Sequence, residues 1–75
     1  MNNDKRYEDV LIISYEIIQL IEQYIIYFTD EETESILTSN ETISFHINND
    51  NADRAYIEAT NLKEYLIKLK NKHNK

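Results

Sequence analysis

Residues 42–72, TISFHINNDNADRAYIEATNLKEYLIKLKNK, decide how this chain folds, and they admit two readings. Thr42 to Ile47 alternates strictly, with Ile43, Phe45 and Ile47 on one side, which is the period of a half-buried strand. Asn48-Asn49-Asp50-Asn51 is turn chemistry, because Asn and Asp tolerate the left-handed backbone that glycine would otherwise supply. Arg54 to Thr60 alternates again, with Ala55, Ile57 and Ala59 inward. Asn61 then offers an N-cap with Glu64 three residues on, opening a helix with Leu62, Tyr65, Leu66 and Leu69 inside. Ser35 to Thr38 supplies a third strand candidate. The second reading takes Ala52 to Lys72 as a single helix, since Ala52, Ala55, Ala59, Leu62, Leu66 and Leu69 recur at alternating steps of three and four. The absence of Gly and Pro from the whole chain supports that reading too.

Upstream, a helix is expected from Asp4 to Phe28. Val10, Ile13, Ile17, Leu20, Tyr24 and Tyr27 form one apolar stripe at helical spacing, and Leu11, Ile18, Ile21, Ile25 and Phe28 form a second beside it. One buried face needs only one stripe. The excess implies cover on two sides, from the rest of the chain or from a second copy, so a homodimer is a natural solution for so short a protein. Ile13, Ile17, Leu20, Ile21, Tyr24 and Phe28 are the residues expected to make the core or the dimer contact. Thr29-Asp30-Glu31-Glu32 has capping-box spacing and would restart a helix after a stop near Thr29.

The strand signal at 42–47 and the capping box at 61–64 together favour a mixed α+β fold. Its order is a long N-terminal helix, a two- or three-stranded antiparallel sheet and a C-terminal helix. The alternative is all-α, with four helices and a middle that resembles a helix-turn-helix.

Length and composition bound the function. The chain has 75 residues, which fits one small domain spanning 1–75. Without cysteine there are no disulfides, thiolate ligands or thiol nucleophiles, and without glycine there is no phosphate-cradling loop. Eight basic against 14 acidic residues give a net charge of −6, which argues against direct nucleic-acid binding. The charge is also segregated. Residues 7–53 hold no Lys or Arg, while the C-terminal segment holds Lys63, Lys68, Lys70, Lys72 and Lys75.

Candidate chemical sites fail on spacing. Asn49 to Asp53 begins like a calcium loop, but Arg54 stands where glycine is required and Thr60 where a bidentate Glu is required. His46 and His73 have no ligand partner at zinc spacing. Glu31, Glu32 and Glu34 read as a solvated run and not as an acid/base pair. No enzyme and no cofactor is expected. Val10 to Phe28 approaches the length of a membrane span, but Glu16, Gln19, Glu22 and Gln23 interrupt it, Asp4, Glu8 and Asp9 do not suit a signal-peptide n-region, and no small-residue cleavage site follows. A cytoplasmic protein is expected, with Asn40-Glu41-Thr42 only a chance sequon.

Two stretches resemble known families. Residues 29–49, TDEETESILTSNETISFHINN, resemble a helix-turn-helix, with Thr33 at the small position, Ser39 in the turn, and Thr42 and Ile43 opening the recognition helix. Leu37 replaces the usual turn glycine, Glu32 replaces an apolar residue, and the recognition helix would carry no cation. Residues 43–70, ISFHINNDNADRAYIEATNLKEYLIKLK, resemble the strand, Asn-Asn-Asp turn, strand and helix of small acidic phage anti-CRISPR proteins of the type II-A class. That resemblance implies a DNA mimic whose Asp50 and Asp53 occupy the basic groove of a nuclease. The abundance of Ile, Asn, Lys and Tyr fits an AT-rich bacterial host or its phage.

The functional expectation is a non-enzymatic module that docks on a basic protein surface, such as that of a nucleic-acid-binding host protein, and blocks it. Asp30, Glu31, Glu32, Glu34, Asp50 and Asp53 are the candidate contacts. The other expectations are a dimeric helix-turn-helix regulator and a small assembly protein.

Overall fold

A computed structural model describes residues 2–73, and all three long elements in it are helices. Helix α1 spans Asn2–Tyr24, α2 spans Asp30–Asn48 and α3 spans Ala52–His73, with a 3-10 turn at Ile25–Tyr27 between the first two. Among the described residues there is no strand. Lys75, counted above in the basic tail, lies outside them.

The expected sheet is therefore a correction. Thr42–Ile47 and Ser35–Thr38 lie inside α2, and Arg54–Thr60 lies inside α3. A strand would give Ile43, Phe45 and Ile47 one common face. Instead Ile43 is 4% exposed and Phe45 is 62% exposed. Likewise Ala55 and Ala59 are fully buried while Ile57 between them is exposed. The alternation was real in the sequence but too short to win. Ile36 and Ile43, two turns apart, lie on one face of a helix, and both are buried. The Asn61–Glu64 capping box does not form, because α3 runs through it without a break.

The all-α alternative fits, with three helices in place of four. Helix α2 continues through Ser39 and Asn40, so the helix-turn-helix pattern at 29–49 has no turn. The strand, turn, strand and helix implied by the anti-CRISPR resemblance are replaced over residues 43–70 by helix, turn and helix.

Helix α3 organises the bundle. Its buried residues are Ala52, Ala55, Ala59, Leu62, Leu66 and Leu69, the stripe with steps of three and four. Both α1 and α2 pack against this stripe, and they make almost no direct contact with each other. Val10 and Ile17 of α1 and Ile36 and Ile43 of α2 complete the core. Ion pairs mark the direction: Arg6 reaches Asp53 at 3.2 Å and Glu16 reaches Lys63 at 3.0 Å, so α1 runs parallel to α3. The result is an elongated body of 44 × 18 × 15 Å.

The connections show how a chain without glycine turns. After α1 the backbone tightens into the 3-10 turn and then extends at Phe28 and Thr29. The Thr29 hydroxyl accepts from the Glu32 amide at 3.1 Å, and Glu32 Oε1 accepts from the Thr29 amide at 2.8 Å. This is the capping box read from the spacing, and it opens a full helix. Helix α2 ends in a Schellman motif. The Asn51 amide donates to the His46 carbonyl at 2.8 Å and the Asp50 amide to the Ile47 carbonyl at 3.1 Å. Asp50 occupies the left-handed position, at φ 56°, where glycine is usual. Asn51 then caps α3 by accepting from the Arg54 amide at 3.3 Å.

Asp50 tolerates that backbone partly because its side chain is held, with the Tyr7 hydroxyl donating to Oδ1 at 2.6 Å. That hydrogen bond, followed by burial and the Asp50 charge, raises the Tyr7 pKa above its ordinary value. Replacing Asp50 by Ala is expected to destabilise the fold by about 1–2 kcal/mol, since a residue with a Cβ and no local hydrogen bond must still adopt the left-handed conformation. Asp50→Gly should lose about 1 kcal/mol less than Asp50→Ala, because glycine has no Cβ penalty there. Urea melts of the two variants check this, and an Ala variant as stable as the Gly variant would contradict it.

Candidate functional site

On the side away from α3, α1 and α2 leave a groove of about 220 Å³. Ser14, Ile17, Ile18 and Ile21 of α1 form one wall, continued by Ile25 and Phe28. Thr33, Ile36, Leu37, Asn40 and Ile43 of α2 form the other. No α3 residue lines it. The sequence dictates this opening. A helix with two apolar stripes has one partner helix in α3, so Leu11, Ile18 and Ile25 of its second stripe stay exposed. Ile18 is 51% exposed and Leu37, on the other wall, is 57% exposed. Leu11 and Ile18 of α1 and Ile25 of the 3-10 turn recur every seven residues, and all three are exposed.

The rims are acidic on both sides. Residues three and four apart are neighbours on a helix surface. Leu37 therefore has Thr33 and Asn40 on its groove side and Glu34 and Glu41 on its outer side. Asp30 continues that row one turn earlier. On α1, Ile18 has Ser14 and Ile21 on the groove side and Tyr15 and Glu22 on the outer side, with Glu8 in line two turns before Tyr15. Glu8, Glu22, Asp30, Glu34 and Glu41 are all exposed. Among the described residues, Glu22, Asp30, Glu34 and Glu41 take part in no ion pair, and residues 7–53 supply no cation. Three cations of α3 are engaged elsewhere. Lys63 pairs with Glu16, Lys72 pairs with Glu32, and Lys70 lies 5.9 Å from the centre of the Tyr24 ring.

The candidate contacts separate by role. Asp30 and Glu34 stand on the groove rim. Glu31 lies further round the outer face of α2, beside Glu34, Ser35 and Thr38. Asp53 pairs with Arg6, whose guanidinium also lies over the Tyr56 ring at 4.6 Å, and Asp50 is bound by Tyr7. Glu32 is buried and structural. Besides closing its capping box, it accepts from Lys72 Nζ at 2.9 Å and faces His73 Nε2 at 3.1 Å, tying the end of α3 to the start of α2. Of the packing candidates, Ile17 is buried, and Ile13, Leu20, Ile21 and Phe28 are half-buried against the core. Tyr24 is half-buried beside Tyr27 and Lys70. Ile17, Ile21 and Phe28 also form part of the groove wall. The α2 wall is hidden in the sequence because Thr42 to Ile47 also carries the period of a strand. The recoverable signal was the seven-residue step from Ile36 to Ile43.

Among the described residues no group of three or more His, Asp or Glu is placed to hold a metal ion. Comparison with protein-family models, with curated proteins and with solved structures returned no significant match.

The Glu32 cluster carries a pH signature. The Thr29 amide, then Lys72 and His73, hold its carboxyl well below its ordinary value of 4.5, at about 2, against the opposing effect of burial. A carboxyl whose pKa is depressed on folding contributes stability above its unfolded pKa and loses it as pH falls through the folded one. Acid unfolding should therefore steepen between about pH 4.5 and pH 2, where the unfolded chain binds the proton that Glu32 refuses. In Glu32→Gln the fold is weaker at neutral pH and that part of the acid dependence disappears. Urea midpoints measured across this range check it, and identical pH slopes in the two proteins would contradict it.

Proposed function

We propose that this chain is a non-enzymatic binding module that docks on a basic protein surface through the α1–α2 groove and blocks it. One observation carries this reading: an uncovered apolar groove lies between acidic rows that contain no positive charge. Contiguous exposed apolar surface with a polar rim marks interaction sites in small soluble domains. The apolar floor supplies the binding energy, and the single-signed rim steers a partner of opposite charge and rejects others. Nucleic-acid-binding proteins present surfaces of the required sign, so a host protein of that class suits the module, which would compete with the polyanion for it. The contact set is Asp30, Glu34, Glu41 and Glu22 around Ile18 and Leu37. Asp50 and Asp53 serve the α1–α3 junction.

A lipid surface is the main competitor. The segment Arg6–Tyr27 is long and apolar enough to span a membrane, with a mean hydropathy of 1.4 and 11% of that window buried. Glu16 and Glu22 lie within it, and Glu16 is paired to Lys63 of α3. An acidic rim is also repelled by anionic headgroups.

The test uses immobilised chain in a lysate of an AT-rich Gram-positive bacterium. The native protein is expected to retain one or a few basic proteins. Ile18→Lys with Leu37→Lys should abolish that capture, and Glu34→Gln with Glu41→Gln should reduce it about tenfold at low salt, on the usual scale of about 1.4 kcal/mol per decade. Equal capture by all three would remove the groove from the function.

A further inference from the structure

We propose that the groove takes a single amphipathic α-helix with basic flanks, supplied by the partner, and that its docking turns the three-helix body into a four-helix one. The inference rests on the binding reading above and names the occupant.

Shape comes first. The groove walls are two helices that lie side by side, and α3 already shows what fits between them on the opposite face: a helix presenting a stripe with steps of three and four. At about 1.5 Å per residue, the α2 wall from Thr33 to Ile43 extends about 15 Å, the length of nearly three turns of a docked helix. An extended peptide is disfavoured because the groove offers no open sheet edge to receive its backbone hydrogen bonds. The mode is helix-in-groove, with apolar anchors one turn apart seated along Ile18, Ile21 and Leu37.

Charge chooses among the helices. A docked helix places its flanks next to Glu22 on one side and Glu34 and Glu41 on the other. Lys or Arg on both flanks would complete pairs that the chain itself leaves unmade. A second copy in the groove is disfavoured by the same charges. A two-fold interface sets the same patch against itself, so each acidic rim would meet another, and residues 7–53 hold no cation to relieve it.

The probe is a synthetic 18-residue amphipathic peptide with Leu at helical a and d positions and Lys or Arg on both flanks. One control keeps the Leu positions with Glu flanks, and another scrambles the basic peptide so that no apolar face forms. Calorimetry with the full chain is expected to show one-to-one binding of the basic peptide, at least about tenfold tighter than either control and weakening as salt rises. Circular dichroism should show the peptide gaining helix on binding. Ile18→Lys with Leu37→Lys alters only exposed side chains, so it should keep the native melting curve and lose the peptide.

Several results overturn the proposal. Equal affinity for the scrambled peptide would reduce the effect to charge alone. Equal affinity for the Glu-flanked peptide would remove the charge selection. Sedimentation showing a dimer that Ile18→Lys dissociates would make a second copy the occupant. Binding to phosphatidylcholine–phosphatidylglycerol vesicles with no peptide binding would assign the groove to lipid. If the lysate capture depends on Ile18 and Leu37 while no peptide binds, the groove reading stands and the basic helix fails. If the peptide binds but capture is indifferent to the groove, the binding module reading fails instead.

Discussion

The apolar stripe of α3 is the interaction on which everything else depends. Ala52, Ala55, Ala59, Leu62, Leu66 and Leu69 form the buried stripe of the helix against which both α1 and α2 pack, while α1 and α2 scarcely touch each other. The stripe changes bulk along its length, from three alanines to three leucines. Alanine lets helices approach closely and leucine holds them further apart, because interaxial distance follows the side chains at the contact. The alanine half faces the end where Arg6 and Tyr7 meet Asp53 and Asp50. The leucine half runs toward the end where Glu32 meets Lys72 and His73. A core shared in this way seals one face of α1 and α2 and leaves their other faces open.

Polar contacts then close both ends of the bundle. Asp50 and Glu32 do comparable work at opposite poles. Each completes a helix terminus locally and binds a distant helix, so each turn is secured to the tertiary structure without glycine or proline. This also accounts for the arrangement of charge. Most of the cations of α3 and the start of α1 are used up in holding the bundle together. The acids facing away from α3 are left over, and some of them border the apolar groove that α3 does not cover. Fold and candidate site thus have a common origin, since a chain with two apolar stripes on α1 and a single partner helix must expose the second.

Much of this was legible in the sequence, though not in the place where the fold was decided. The capping box at Thr29 and Glu32, the turn chemistry at 48–51, and the α3 stripe were all readable. So was the surplus of apolar residues on α1. The strand at 42–47 was the error. Six residues of alternation carried more weight than the seven-residue step between Ile36 and Ile43, because Asn40 interrupts that helical stripe with a polar side chain. Asn40 lines the groove and is exposed there, so the residue that hid the helix belongs to the candidate site. The acidic contacts were only half legible. Composition shows that residues 7–53 lack cations, but tertiary pairing alone separates Glu32, Asp50 and Asp53, which hold the bundle, from Asp30 and Glu34, which border the groove.

The most direct test asks whether the second apolar face is uncovered in the isolated chain. The protein has no cysteine, so single cysteines report without interference. Thiol labelling of Ile18→Cys and Leu37→Cys should proceed within about tenfold of a free thiol, while Leu66→Cys, facing α1 and α2 from α3, should label only through unfolding and at least about a hundredfold slower. Groove cysteines as protected as Leu66→Cys would mean that the face is covered, and would contradict the open groove on which the functional reading stands.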